Sequence, residues 1–435
     1  MVKILFISFY FAPFNCSGAV RVSKMAKYFA RFGHDVRVVS AADQPFDASL
    51  PLEIDEDKVI YTKWRDVNAP VYFLLGGRKK VIERGTALPS GRSRGFAKAL
   101  GTLYKTLVHI PDGQRGWLKP AFKAGSELIE TWRPDVIFAS QPPPSSLLVA
   151  DRLSRKYGIP WIADFRDLWS DPEYYGYLRF RRPLDQRIEK RVLASCSGIT
   201  ATSKMFADRL SSRHHKTAAE ILNGYDLLPG LESYERSPGK PGELVLAYTG
   251  RAPYGRRDAS PLFRAIKGMG EVGRGIRVRF FGTGLEHMRE LAARIGVGAN
   301  VEIVGGVPFL EALKAQRDAD VLLLLQWNDP GEAGVYSGKI FEYIGARRPV
   351  LSVGYTKGVV ADLIRERRIG KVLDDPTDIA EALSEWLEVK LKQGQIEEMP
   401  ESCREGLSRE DQAGTLEKFI FQEILTPSKP GNPNG

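Results

Sequence analysis

The chain has 435 residues, of which 43% are hydrophobic and 27% are charged, and its formal net charge is +10 at pH 7. This length exceeds what one hydrophobic core ordinarily supports, so we expect two α/β domains of about 200 residues each. The sequence has no apolar run long enough to cross a bilayer and no secretory signal, which argues against a membrane-spanning or exported protein.

The cysteines and histidines argue against a disulfide framework and against a structural metal. The sequence has three cysteines, an odd number, and they are widely spaced: Cys16, Cys196 and Cys403. The five histidines are not spaced like the ligands of a metal ion. Such a pattern is typical of a protein in a reducing compartment. We therefore expect a cytoplasmic protein that needs neither a metal ion nor a cofactor.

The first half of the chain alternates short apolar strands with amphipathic helices. A helix over 19–32 is predicted from Val22, Met25, Ala26 and Phe29, which recur at i, i+3, i+4 and i+7. Another helix is expected over 145–157. The predicted strands are Lys3–Ser8, Asp35–Ser40, Asp135–Ala139, Pro160–Ala163 and Gly198–Ala201. This alternation predicts a doubly wound parallel sheet with helices on both faces.

The loop over 9–18 links the first strand to the first helix. Gly18 would let the backbone approach a ligand closely, and Arg21 in the first helical turn could clamp an anion. With a single glycine the pattern is equally compatible with an ordinary connection between a strand and a helix.

A strongly basic segment covers residues 76–105, where eight lysines and arginines face Glu83 alone, a net charge of +7. Apolar residues such as Phe73, Phe96 and Leu103 are interleaved with these cations or lie beside them. A solvated surface, a nucleic-acid site and an anionic membrane surface all fit this composition. Because no nucleic-acid motif accompanies the charge, we favour the inner face of the plasma membrane and expect no nucleic-acid partner.

Two acids and an arginine follow the strand that begins near Trp161. Asp164, Arg166 and Asp167 stand at the strand's carboxyl end, where charged groups in an apolar frame are costly unless they are paired or used. Arg166 and Asp167 are candidate catalytic residues, and Asp167 or Asp164 could orient a sugar hydroxyl. A purely structural pair of arginine and aspartate is the alternative.

A second series of strands and helices follows Asn223-Gly224. Its predicted strands are Leu244–Tyr248, Arg277–Phe281, Val301–Val304, Val321–Leu325 and Val350–Val353. We expect an amino-terminal domain over 1–204, a second domain over 205–406, a helix over 407–425 that packs back on the first domain, and a disordered tail over 426–435. Two doubly wound, Rossmann-like domains in tandem predict a ligand cleft between facing strand ends.

Two loops of the second domain carry candidate phosphate ligands. Arg251, Arg256 and Arg257 follow its first strand, and guanidinium groups bind phosphate through two parallel hydrogen bonds. Gly282 and Gly284 end the next strand, where a flat base could lie against the backbone. A solvated basic loop and a tight turn are the respective alternatives.

The segment from Ser337 to Glu342 is the most informative part of the sequence. A buried-looking strand is followed by a loop with Ser337 and Gly338, and then by a helix with Lys339 in its first turn. A helix N-terminus attracts phosphate, and Glu342 one turn later could accept hydrogen bonds from a ribose diol. The segment therefore predicts a nucleoside-diphosphate site.

These motifs together resemble the retaining glycosyltransferases of family 4, which have the two-domain GT-B fold. The resemblance covers nearly the whole chain and rests on Asn223–Asp226, Gly250-Arg251 with Arg256, Val304–Pro308, Ala319–Val321 and Lys339–Val350. Glu342 falls on the ribose-binding glutamate of the family. Gly334 stands where the family has another glutamate, and Arg166 stands where it often has a histidine.

The resemblance implies metal-independent transfer of a sugar from a nucleotide-sugar donor to a glycan or lipid-linked acceptor, with retention of configuration. Arg251 and Lys339 would be catalytic, and Gly18, Arg21 and Glu342 would contact the donor. A role in surface polysaccharide or glycolipid synthesis is expected. Two alternatives stay open: a nucleotide-sugar epimerase of the same fold, and a catalytically silent subunit that binds nucleotide sugar.

Overall fold

The computed structural model describes residues 1–69, 93–171, 173, 175–226, 231, 234–237, 239–253 and 255–426, without the side chains of 93–98. Two compact units make up the chain. The first comprises Met1–Ile221 with Ala413–Gly435, and the second comprises Leu222–Gln412. Apart from residue 426, the tail predicted to be disordered lies outside the described residues.

Among its described residues, the first unit contains seven strands and a set of flanking helices. The strands are β1 (Lys3–Ile7), β2 (Asp35–Ala41), β3 (Val59–Thr62), β4 (Val136–Gln141), β5 (Trp161–Phe165), β6 (Gly198–Ala201) and β7 (Ala218–Glu220). The helices among its first 221 residues are α1 (Ser17–Arg31), α2 (Ser93–Val108), α3 (Leu118–Thr131), α4 (Ser145–Tyr157), α5 (Arg182–Leu193) and α6 (Lys204–His214).

The first sheet is wholly parallel and has the strand order β3-β2-β1-β4-β5-β6-β7. Every residue of β4 and β5 is buried, as expected for strands covered on both faces. Phe6, Phe29 and Phe138 meet in the core on one face. Leu416 and Ile420, from the carboxyl-terminal part of the chain, belong to that same core.

The boundary of the first unit lies at Ile221, not at residue 204 as the sequence analysis placed it. Helix α6 and strand β7 belong to the first unit because β7 extends the first sheet by pairing with β6. His214 at the end of α6 also binds Glu189 of α5, with 2.8 Å between Nε2 and Oε1. Residues 407–412, which we had grouped with the last helix, belong to the second unit.

The second unit contains six strands and six helices among the residues described. The strands are β8 (Leu244–Thr249), β9 (Ile276–Phe281), β10 (Val301–Gly305), β11 (Val321–Leu325), β12 (Val350–Val353) and β13 (Gly370–Leu373). The helices are α7 (Ser260–Gly268), α8 (Glu286–Ile295), α9 (Phe309–Asp318), α10 (Gly338–Ala346), α11 (Val359–Glu366) and α12 (Pro376–Gln393). The last helix of the chain, α13 (Arg409–Phe419), continues into a π-helical turn over Ile420–Leu425.

The second sheet is also parallel, with the order β10-β9-β8-β11-β12-β13. Alternate residues of its central strands enter two separate cores. Leu246 and Leu323 pack in one core, whereas Ala247 and Leu322 pack with α10 and α11 in the other. The two-residue period of a strand thus explains why both faces of this sheet need helices.

Each sheet has one point at which the strand order reverses, β1/β4 in the first unit and β8/β11 in the second. Ligands of open α/β sheets bind beyond the carboxyl ends of the strands at such points. The loops after β1, β4, β8 and β11 are therefore the first places to look for a site. Within the described residues, no helix combines the length and the apolar content needed to cross a bilayer.

Candidate active site

The loop after β8 begins with a glycine that brings a lysine from another element close to the backbone. Gly250 has φ +105°, and its N–H donates to the carbonyl of Phe281 at 2.6 Å. A Cβ atom on Gly250 would lie 2.8 Å from Cε of Lys339. The Nζ atom of Lys339 lies 3.5 Å from the Arg251 carbonyl oxygen. The structure therefore brings together Arg251 and Lys339, which are 88 residues apart.

The amino end of α10 lies at this point. Ser337 is its extended N-cap, and no side chain of the described residues caps the helix there. Gly338 is exposed, and a Cβ atom on it would meet no atom within 4 Å. Since the first N–H groups of a helix lack intrahelical partners, this end offers donors and a positive dipole to an anion.

Burial lowers the pKa of Lys339, the nearby charge of Arg257 lowers it further, and Glu342 partly opposes both effects. The ammonium group also lies 5.2 Å from the ring centroid of Tyr248. An anion bound between the helix end and Lys339 would supply the missing counter-charge and favour the protonated form.

Glu342 is fixed by a glutamine that also reaches the end of β8. Nε2 of Gln316 donates to Glu342 Oε2 at 3.2 Å and to Thr249 Oγ1 at 2.9 Å. Burial raises the pKa of the Glu342 carboxyl, and the hydrogen bond from Gln316 and the charges of Arg409 and Lys339 oppose that rise. The carboxylate is thus held in place, and Glu342 as a whole residue is half-buried.

Tyr343 explains why α10 sits where it does. Its hydroxyl accepts a hydrogen bond from the Thr249 N–H at 3.2 Å and donates to the Leu323 carbonyl at 3.1 Å. One buried side chain therefore ties α10 to both β8 and β11. The helix end cannot shift without breaking contacts at the point where the strand order reverses.

Glu342 also lines a cavity of about 260 Å³ in the second unit. Phe309 and Leu313 of α9 give it an apolar wall, and Arg317 and Arg409 are among its cationic residues. The carboxylate of Asp226 lies 3.6 Å from Nε of Arg409. A flat ligand that carries hydroxyl groups and negative charge suits such a lining.

The arginines of the loop after β8 differ in what they contact. Nη1 of Arg257 pairs with Glu332 Oε2 at 3.0 Å, and the Arg256 guanidinium lies 4.9 Å from the centroid of a Trp327 ring. Both partners belong to the loop after β11, so these two arginines link the two switch-point loops. Arg251 and Arg256 keep exposed side chains, whereas Arg257 is half-buried.

Gly282 and Gly284 occupy different settings. The N–H of Gly282 donates to the Gly305 carbonyl at 2.7 Å, and a Cβ atom on Gly282 would collide with the Gly250 carbonyl oxygen. Close packing of strand ends accounts for glycine there. Gly284, with φ +71°, has open space around it. Their contact with a base stays a prediction.

Arg21 of the first unit does not face a ligand as the sequence suggested. Its Nη2 and Nε atoms donate to Asp164 at 2.8 and 3.1 Å, and only 3% of Arg21 and none of Asp164 is exposed. Asp164 also accepts hydrogen bonds from Ser140 and Thr200. Burial raises the pKa of Asp164, but Arg21 and these bonds outweigh it and hold the pKa below its usual value. Arg21 therefore positions α1 and cannot clamp a diphosphate in this conformation.

Arg166 and Gly18 form a second buried arrangement. Nε of Arg166 donates to the Gln141 carbonyl at 3.2 Å, and Nη2 donates to the Pro142 carbonyl. The guanidinium covers Gly18 so closely that any Cβ there would collide with Nη1. A side chain at position 18 would therefore force the Arg166 guanidinium to shift away from the carbonyls it binds.

Asp167 lies at the edge of a cavity of about 420 Å³ in the first unit. Asp167 as a whole residue is exposed, but desolvation of its carboxyl raises the carboxyl's pKa, and the charge of Arg166 opposes that shift. Tyr10, Asp112 and Tyr177 also line the cavity. Burial raises the pKa of Asp112 to about 6, although Ser145 donates to its carboxylate from both N and Oγ.

Sequence reasoning missed Gln316, Trp327 and Asp112. Gln316 lies in a helix with no motif, and its role depends on Thr249, 67 residues away. Trp327 could have been found as an aromatic residue directly after a buried strand. Asp112 follows a proline in a loop and gives no spacing signal. Among the residues that the structure describes, no three His, Cys, Asp or Glu side chains are grouped so as to hold a metal ion.

Comparison with known proteins identifies the first unit and the fold. Residues 18–220 match the family described as "Glycosyl transferase 4-like domain". This part of the chain is therefore similar to that family, and the match supports the resemblance to family 4 glycosyltransferases. A search of the curated proteins found no match to this chain.

Solved structures with the same architecture cover almost the whole chain. Sucrose-phosphate synthase from Thermosynechococcus elongatus has a TM-score of 0.63 at 14% identity, over 97% of this chain and 99% of that one. The lipopolysaccharide outer core galactosyltransferase WaaB has a TM-score of 0.59 at 14% identity, over 96% and 99%. Anabaena HepE in complex with UDP has a TM-score of 0.55 at 14% identity, over 96% and 94%.

These likenesses confirm the predicted α/β fold class with two Rossmann-like sheets and the GT-B architecture. The matched family is described as a glycosyl transferase 4-like domain, and two of these solved structures are named as a synthase of sucrose phosphate and a galactosyltransferase.

Proposed function

We propose that this chain transfers a hexosyl group from a nucleotide-sugar donor to a glycan or lipid-linked acceptor, with retention of configuration and without a metal ion. The observation that carries the proposal is the β8/β11 switch point of the second unit. There the end of α10 lacks a side-chain cap among the described residues, and it lies beside Lys339 and Arg251. Glu342 lies one turn further along the helix, where a ribose diol could reach it.

The proposed chemistry needs charge stabilisation more than it needs a protein nucleophile. When the bond between the anomeric carbon and the diphosphate breaks, negative charge develops on the diphosphate oxygens. Lys339, Arg251 and the helix end would stabilise that charge with groups that are already in place. Following the family resemblance, the leaving phosphate would accept the proton of the attacking acceptor hydroxyl on the same face.

The acceptor is proposed to use the cavity of the first unit. Asp167 would orient an acceptor hydroxyl there, and Arg166 would hold the strand end that carries it. Carboxylates and aromatic side chains are a common lining for a sugar ring, because one binds hydroxyl groups and the other covers the apolar face.

The setting of the reaction is proposed to be the cytoplasmic side of the membrane, in cell-surface polysaccharide or glycolipid synthesis. WaaB, a structure similar in fold, is named for a lipopolysaccharide outer core reaction. The basic segment 76–105 is proposed to contact anionic lipid. Its residues 76–92 lie outside the described part of the chain.

A transfer assay tests the proposal. The full chain would be incubated with a panel of nucleotide sugars and with glycan or lipid-linked acceptors, the products weighed by mass spectrometry, and their anomeric configuration read by NMR. Lys339→Ala should lower turnover by about 10²–10³-fold, the scale for losing one transition-state donor. Its melting temperature should stay that of the parent.

Lys392→Ala is the matched control, since Lys392 is an exposed lysine paired with Glu388 on α12, in the same unit. Inversion at the anomeric carbon would overturn the proposed mechanism. Formation of an epimer without an acceptor would instead indicate an epimerase. Nucleotide binding with no turnover on any donor would indicate a silent subunit.

A further inference from the structure

Among the described residues of the first unit, helix α2 carries a stripe of exposed leucines. Leu100, Leu103 and Leu107 recur at i, i+3 and i+7, so they share one face of the helix, and Leu107 is 56% exposed. The helix is held from other sides: the hydroxyl of Tyr104 donates to the Val67 carbonyl at 3.1 Å, and Thr106 is buried. The leucine face is therefore not the face by which α2 packs.

A second segment places further apolar side chains beside this stripe. The N–H of Leu178 donates to Thr106 Oγ1 at 3.1 Å. The buried guanidinium of Arg181 donates from Nη1 to the carbonyls of Lys105 and Thr106, at 3.3 and 3.2 Å. These bonds bring the start of α5 against the end of α2. Phe180, 64% exposed, and the exposed Leu184 extend the uncovered apolar area.

The exposed charges that α5 and the residues just before it place around these apolar residues are positive. Arg179, Arg187 and Arg191 are exposed, and the last two share a face of α5 with Leu184 at i, i+3 and i+7. The two acids of α5, Asp185 and Glu189, are fully buried. Asp185 pairs with Arg181, and Glu189 accepts hydrogen bonds from Ser170 and His214. The outward face therefore shows apolar and basic groups while its acids are neutralised inside.

From this arrangement we infer that the exposed face of α2 and α5, with Leu100, Leu103, Leu107, Leu178, Phe180 and Leu184 as its apolar part, docks on an anionic bilayer. Amphipathic surfaces of this kind insert apolar side chains at the level of the lipid headgroups while arginines meet anionic phosphates. The inference deepens the proposed function, because it names the surface that would hold the enzyme beside a lipid-linked acceptor.

The surface also adjoins the cavity of the first unit along the chain. Tyr177 and Pro111 line that cavity. Tyr177 precedes Leu178 directly, and Pro111 follows the end of α2. Nη2 of Arg181 donates to the Pro111 carbonyl at 2.7 Å. One buried arginine therefore supports both the exposed face of α2 and α5 and the lining of the cavity. A lipid-linked sugar could thus keep its lipid in the bilayer while its polar end reached the cavity.

Vesicle sedimentation with the full chain tests the inference. Parent protein should bind vesicles of phosphatidylcholine mixed with phosphatidylglycerol more tightly than phosphatidylcholine alone, and more weakly as salt rises. Replacing Arg179, Arg187 and Arg191 together by glutamine should weaken binding to the anionic vesicles by about 100-fold, at roughly fivefold for each arginine. Changing Leu103, Leu107 and Phe180 to serine should weaken binding at least about tenfold on both vesicle types.

Matched controls come from the second unit. Arg264, Arg289 and Arg294 are exposed arginines of α7 and α8, and their change to glutamine removes the same charge. Val272, Val389 and Leu391 are exposed apolar residues there, to be changed to serine. If the surface variants bind vesicles no more weakly than these controls, the inference is wrong. It is equally wrong if the chain binds no vesicles and instead forms a dimer that the serine variant disrupts.

The same variants separate this inference from the proposed function. Nucleotide binding and transfer to a soluble acceptor should be unchanged in them, because none of the altered residues belongs to the candidate active site. Vesicle binding through this face without any glycosyl transfer would keep the inference and overturn the proposed function. Glycosyl transfer together with vesicle binding that the surface variants do not weaken would keep the proposed function and overturn the inference.

Discussion

The two switch points share a topology but differ in what their charged groups do. At β1/β4 the buried charges of Arg21 and Asp164 satisfy each other, and Arg166 is occupied by backbone carbonyls. At β8/β11, Nζ of Lys339 lies 3.5 Å from the Arg251 carbonyl oxygen, and no side chain of the described residues caps the end of α10. The strand order therefore indicates where a ligand can bind. Whether the charged groups there are already paired indicates which of the two switch points can bind an anion. We therefore expect the diphosphate of a donor to bind at the second unit.

The largest effect should follow from breaking the buried pair of the first unit. Arg21→Met leaves Asp164 buried without its cation, which should cost about 3–5 kcal/mol of unfolding free energy. Because the pKa of Asp164 is lowered in the folded state, its contribution to stability is present at neutral pH and is lost as pH falls. Denaturant unfolding of parent and variant at several pH values measures both effects.

Lys204→Met is the control, since Lys204 and Asp208 form an exposed pair on α6 in the same unit, and it should leave stability essentially unchanged. A loss of nucleotide affinity in Arg21→Met without a loss of stability would contradict the structural role of Arg21.

A smaller effect is expected on the pH dependence of nucleotide binding, because Lys339 has a lower pKa than an exposed lysine. Its pKa is lowered by burial and by Arg257, so the ammonium group loses its proton at lower pH than an exposed lysine would. The attraction for a diphosphate is present below that pKa and is lost above it. Nucleoside diphosphate affinity, measured by calorimetry, should therefore weaken as the pH becomes alkaline. Lys339→Arg should keep its affinity there, because guanidinium stays protonated.

If parent and Lys339→Arg lose affinity in parallel as pH rises, another group controls the alkaline limb. Lys339 would then not be the main cation that attracts a diphosphate at the β8/β11 switch point.

The smallest effects should come from two glycines of the second unit. Gly250→Ala places a methyl group in a left-handed conformation against the Lys339 side chain, which should cost about 1–3 kcal/mol and weaken nucleotide binding. Gly284→Ala, with φ +71° but open space, should cost about 1 kcal/mol and leave affinity unchanged. Thermal unfolding with and without nucleotide compares the two. If Gly250→Ala and Gly284→Ala lost nucleotide affinity equally, the close contact between Lys339 and Gly250 would not be needed for nucleotide binding.

Much of the fold is predictable from local patterns, because buried parallel strands such as Val321–Leu325 are continuous apolar runs. The edge strand β7, Ala218–Glu220, has no β-branched residue, so its pairing with β6 was missed and the domain boundary was placed too early. The residues of the Ser337–Glu342 segment could be proposed from its loop-helix pattern. The partner of Arg21 could not, because Asp164 is 143 residues away and only the strand order brings it close.

Glu342 and the end of α10 are proposed to bind the nucleotide of a sugar donor. The most direct measurement is the thermal stability of the full chain against a panel of nucleoside diphosphates, in the parent and in Glu342→Ala. Glu388→Ala, on an exposed face of α12, is the control. One base should stabilise the parent by about 2.7 kcal/mol at a hundred times its dissociation constant. That gain should disappear in Glu342→Ala and persist in the control, whereas equal stabilisation of all three proteins would contradict the account.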